Sequence, residues 1–133
     1  MEAPSASAGS DEIAERLASG LELIATGRYF EAHEELELAW RAAAPEERDF
    51  FQGLVHVAVA WYQAGRGNRT GCERQLAKAA RRLGPFAPQH RDVELSRILA
   101  QVGEAVEVVR AGSLVLTPVR IDRAALRGRR RGS

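Results

Sequence analysis

Histidine and glutamate four residues apart on a helix stand on one face, as two ligands of a single ion require. His33-Glu34-Glu35-Leu36-Glu37 has that spacing. It is the His-Glu-x-x-His arrangement of zinc hydrolases with glutamate replacing the second histidine. In such a site His33 and Glu37 would hold a divalent metal, Glu34 would be the general base, and His56 would be a third ligand. No Cys/His cluster accompanies them, and a di-iron centre would need two Glu-x-x-His motifs that the chain lacks. A structural reading weighs more. In it His33, Glu37, Gln52 and His56, with Trp40 beside them, satisfy one another as a buried hydrogen-bond network. The sequence thus assigns no cofactor and no catalytic residue, with metal-dependent hydrolysis as the alternative.

These residues need helices to position them. Ile13, Leu17, Leu21 and Ile24 recur at helical spacing, which predicts a first helix from a cap at Ser10 or Asp11 to about Thr26, ended by Gly27. A second helix is predicted from about Tyr29 to Ala43, stopping before Pro45. Its apolar arc includes His33 and Glu37, so Glu37 is expected to be buried and to need a partner. A third runs from about Glu46 to Ala64 and is apolar around nearly its whole circumference, apart from a stripe of Gln52, His56 and Gln63. A helix apolar on most sides is buried on most sides, which makes this one the hub. Gly53, beside the stripe, is expected to let another helix approach closely.

Asn68 caps a fourth predicted helix that ends at Gly84-Pro85, and a proline-punctuated connection leads to a fifth from about Asp92 to Ala111. Ser113 to Ile121 is β-branched, with Pro118 forbidding helix, and one strand alone makes no sheet. It is expected to lie across the bundle or to pair with another copy. No internal repeat is visible. The fold class is all-α: an antiparallel bundle of about five helices with an extended C-terminal segment.

The run Phe30-Glu-Ala-His-Glu-Glu-Leu-Glu-Leu-Ala-Trp40, then Phe51-Gln-Gly-Leu-Val-His56, then Gly67-Asn68 and Gly71, resembles the domain of unknown function 309 family over about Leu21 to Leu83. The resemblance implies an all-helical fold around a three-helix, spectrin-repeat-like core. It implies no established activity.

A chain of 133 residues, 45% hydrophobic and 28% charged, fits one globular domain. That domain is expected over residues 11–121, between a disordered tail at 1–10 and a basic, disordered one at 122–133. Its longest apolar run is too short to span a membrane. The single cysteine, Cys72, and the absence of a secretory pattern suit a cytoplasmic protein. Cys72 shares an apolar face with Leu76, Ala79 and Leu83 and reads as core.

The net charge of +1 hides an asymmetry. Residues 1–65 hold 12 acidic and 4 basic side chains, and residues 66–133 hold 6 acidic and 15 basic ones. Arg74, Lys78, Arg81 and Arg82 make a basic face on the fourth helix, to which weak, sequence-indifferent nucleic-acid binding is assigned as an alternative. Without a helix-turn-helix or zinc-finger pattern, that face reads first as solvated surface. The favoured function is a small binding or interaction module, with a homodimer or another protein as partner.

Overall fold

The computed structural model describes residues 4–122, with side chains described from Asp11 onward. The basic tail expected at 122–133 therefore lies, apart from Asp122, outside the described residues. Among the described residues five α-helices form: α1 (Pro4–Ala25), α2 (Tyr29–Ala42), α3 (Arg48–Gly65), α4 (Arg69–Leu83) and α5 (Leu95–Arg110). α1 begins ahead of the cap expected at Ser10 or Asp11. A turn of 3₁₀ helix (Pro45–Glu47) precedes α3, and another (Gly84–Phe86) follows α4. The connection into α5 holds a two-residue antiparallel hairpin, β1 (Gln89–His90) with β2 (Val93–Glu94), in the register Gln89↔Glu94 and His90↔Val93. Arg91 and Asp92 turn it with φ of 48° and 64°, so α5 starts at Leu95 rather than at Asp92.

The helices pack in chain order, each on the next, with α3 between α2 and α4. The expected hub is borne out. Phe50, Phe51, Leu54, Val57, Ala58 and Ala60 are all fully buried, because α3 meets apolar neighbours on both sides. Gly53 has the predicted use: a Cβ there would stand 2.5 Å from Leu83, so its absence sets the α3–α4 approach. Gly20 does the same for α1 and α2, where the nearest atom of Leu36 would be 2.6 Å away.

Two turns share one construction. Gly27 (φ 80°) donates its N–H to Ile24 O, and the Arg28 N–H reaches Leu23 O. Gly67 (φ 76°) and Asn68 repeat this with Ala64 O and Gln63 O, the double bond that closes a helix on a left-handed residue. Burial follows the same offset of forty. Leu17, Leu21 and Ile24 correspond to Val57, Trp61 and Ala64, and Ala32, Leu36 and Ala39 to Cys72, Leu76 and Ala79. The hairpins α1–α2 and α3–α4 are thus pseudo-repeats, which corrects the reading that the chain has none.

Residues 113–122 run back toward the start of α5, where the Glu94 N–H meets Asp122 O. Thr117 bonds α3 through Trp61, Val119 bonds α2 through Tyr29, and Arg120 bonds α5 through Gln101. Of the two expected placements, this segment takes the one across its own bundle.

Candidate binding site

The chain reverses between α2 and α3, so the start of α2 faces the end of α3. His33 consequently lies against Val59, Tyr62 and Gln63, about a turn or more from His56. Its Nδ1–H donates to Phe30 O at 3.0 Å, since a carbonyl can only accept. Its Nε2 stands 3.9 Å from Glu37 Oε1, beyond hydrogen-bond range. The Glu37 side chain is 41% exposed and equally distant from Arg41, so it is solvated rather than buried.

His56 looks the other way. It is 8% exposed, and its Nδ1 is 2.7 Å from Gln75 Oε1 of α4. Burial lowers its pKa first; the Gln75 bond opposes this, and the cations Arg82, Lys78 and Arg81 lower it further. Both effects that lower it keep the ring neutral at pH 7. Gln52 bonds neither histidine, Trp40 packs on the core near the far end of α2, and Glu34 is exposed. The expected network between α2 and α3 is therefore not assembled. His33 packs on the last turns of α3, whereas His56 turns away from α2 to Gln75 of α4. Among the described residues no three His, Cys, Asp or Glu side chains converge as a metal site would require.

The basic face is partly committed to the fold. Arg82 pairs with Asp49 at 2.7 Å across α3 and α4, whereas Arg74 and Arg81 are exposed. Cys72 is buried, and burial raises its thiol pKa, which agrees with a core role.

What the register does bring together is an aromatic groove. Tyr29, Phe30 and His33 from α2 face Val59, Tyr62 and Gln63 from α3 around a cavity of about 170 Å³. The Phe30 ring centroid is 5.3 Å from that of Tyr62 and 5.2 Å from that of His33. Phe30 is nevertheless 46% exposed. Arg66 lies over the outer part of the Tyr62 ring, 5.6 Å from its centroid. Phe30 and Tyr62 sit at the rim of this groove, whereas Trp61, beside Tyr62 on α3, is buried in the core.

A second constellation escaped the sequence. Glu47 accepts two bonds from Arg91 and one from His90, each at 2.7 Å. The Arg91 bonds chiefly hold the carboxyl down at about 2, with burial opposing and His90 assisting. His90 also packs its ring against Phe50 and Phe86, at 4.6 and 4.9 Å. With these bonds made, the carboxylate serves as a clamp between the 3₁₀ turn and the β1–β2 hairpin. The partners lie more than forty residues apart, and no local spacing announces such a pair.

Fold and site together define a serial helical bundle with an aromatic groove between its second and third helices. Residues 17–75 match the family model described as Domain of unknown function (DUF309), as the Phe30–Trp40 and Phe51–His56 segments had suggested. The chain is similar to the uncharacterized protein YpuF of Bacillus subtilis (strain 168), with 32% identity over 112 residues. That alignment covers 77% of this chain and 63% of the relative, so the chain spans less than two thirds of the curated protein it matches. Every residue lining the groove falls inside the family match. Among the described residues no helix is long and apolar enough to cross a membrane.

Proposed function

We propose that this chain is a binding module that takes an aromatic side chain of a protein partner in the groove between α2 and α3. The observation that carries this reading is the exposed Phe30 ring, tilted against Tyr62 and His33 over an unfilled volume. An apolar cavity near 150 Å³ holds one benzene ring, so about 170 Å³ is room enough for one aromatic side chain. Tilted rings at these separations favour a further ring by about 0.5–1.5 kcal/mol beyond area burial. A wider groove between α4 and α5, about 250 Å³, is flanked by Glu73 and Arg110 and offers no ring to stack on. Polyanion binding by α4 has less support, because Arg82 is held by Asp49.

The test titrates isotopically labelled protein with p-cresol and, separately, leucinamide, following backbone amide shifts. Saturable shifts confined to residues 29–33 and 59–63, larger with p-cresol and lost in Phe30→Ala and Tyr62→Ala, are the expected result. Equal shifts with leucinamide, or shifts centred on α4 and α5, would overturn the reading.

A further inference from the structure

Residues 113–122 are held in a way that separates them from the helices. Three side chains from three helices address the backbone of this segment, and Arg97 of α5 pairs with Asp122 at its end at 3.2 Å. Trp61 of α3 donates its indole N–H to Thr117 O at 2.9 Å. Tyr29 of α2 accepts the Val119 N–H at 3.2 Å. Gln101 of α5 accepts the Arg120 N–H at 2.8 Å and donates to Arg120 O at 2.9 Å. Between these bonds the Val119 side chain is 2% exposed, whereas Val115, nearer the hinge, is 85% exposed.

Backbone bonds along an extended segment, with an apolar side chain seated between them, are how proteins bind peptides: the bonds supply affinity and the pocket supplies selectivity. Gln101 serves both backbone groups of Arg120, and its amide N–H also reaches Arg97 O at 3.2 Å within α5. The segment reaches this seat through one reversal, at Gly112, whose φ of 101° is closed to β-branched residues. Gly112 N–H to Val109 O and Ser113 N–H to Val108 O fix that reversal.

We propose that the seat formed by Tyr29, Trp61 and Gln101 is an extended-peptide site, and that its partner in trans is the 113–122 segment of a second copy. The sequence shown to fit is one that every copy carries. Reciprocal exchange would re-form each bond unchanged, so contact energy does not separate the two arrangements; only the hinge and the local concentration of the tethered segment do. A tether supplies an effective concentration of about millimolar, which keeps the segment at home in dilute solution. Exchange appears when one seat is vacated and another segment is released. The seat shares Tyr29 with the aromatic groove, but the proposal does not rest on that reading.

Two full-length variants test it. Val119→Asp disables the segment and leaves its own seat open. The double variant Trp61→Phe with Gln101→Ala disables the seat and leaves its segment intact. Each alone is expected to be monomeric by light scattering, and their mixture to form a 1:1 complex that a synthetic 113–122 peptide dissolves. Should Val119→Asp fail to melt cooperatively, Val119→Ala takes its place. No complex from two cooperatively folded chains overturns the proposal. So does a dimer of either variant alone, because the contact would then lie outside the seat.

Discussion

At the residue scale, the ionisable groups that matter are those whose partners come from elsewhere in the chain. Glu47 is the clearest. Its carboxyl is lowered from 4.5 to about 2, so it binds fewer protons folded than unfolded near pH 3–4. Its contribution is complete above about 4.5 and is lost as pH falls toward 2. A shift of that size corresponds to about 3 kcal/mol. Glu47→Gln should therefore lower stability by about that amount at neutral pH. Urea unfolding at a series of pH values should show the gap between wild type and variant closing in acid. His33 leads to the opposite expectation. If Glu37 were buried and paired with it, His33→Ala would cost about 1–3 kcal/mol. With Glu37 solvated, only the Phe30 carbonyl bond and the ring contact are lost, and we expect about 1 kcal/mol or less, measured by the same unfolding experiment. The sequence reveals which residues could do chemistry but not which of them meet. His33 and His56 stand out by type, yet the helix register that parts them depends on packing, and Glu47 has no motif at all.

At the element scale, legibility is high where a local cause acts. Gly27 and Asn68 mark turns because left-handed backbone and side-chain capping are properties of single residues. Asn68 accepts the Gly71 N–H at 2.9 Å, as its position before α4 predicts. The β1–β2 hairpin was not legible, because its two-residue strands are too short to show alternation and its turn uses Arg91 and Asp92 in place of glycine. The pseudo-repeat was hidden for another reason. Across its offset of forty the buried positions keep their apolar character, while few besides Gly27/Gly67, Leu36/Leu76 and Ala39/Ala79 keep their identity. The close α3–α4 approach gives a sharp test. Gly53→Ala would put a methyl 2.5 Å from Leu83, which is itself fully buried. The helices would have to part, and overpacking of this kind costs about 1–3 kcal/mol. Thermal unfolding should show the loss, and Leu83→Ala added to Gly53→Ala should cost less than the two single changes combined.

For the molecule as a whole, helices that pack chiefly on their neighbours in the chain need something to tie distant members together. The 113–122 segment does this by bonding α2, α3 and α5 at once. Its extended character was readable from Pro118 and the β-branched residues around it. Its seat was not, because Tyr29, Trp61 and Gln101 are spread over three helices and none is unusual in its own. Gln101 is the decisive member: it lies buried on α5 and gives both ends of its amide to Arg120. Gln101→Ala would leave the Arg120 backbone without these bonds and the segment tethered chiefly through Trp61, Tyr29 and the Arg97–Asp122 pair. Loss of two such bonds should cost about 1–3 kcal/mol. The loss should be local, since every helix keeps its own contacts. Hydrogen exchange should therefore quicken at Val119 and Arg120 while Leu54 and Val57 of α3 stay protected. Uniform loss of protection would mean instead that the segment and the bundle fold as one unit, with Gln101 a keystone of the core.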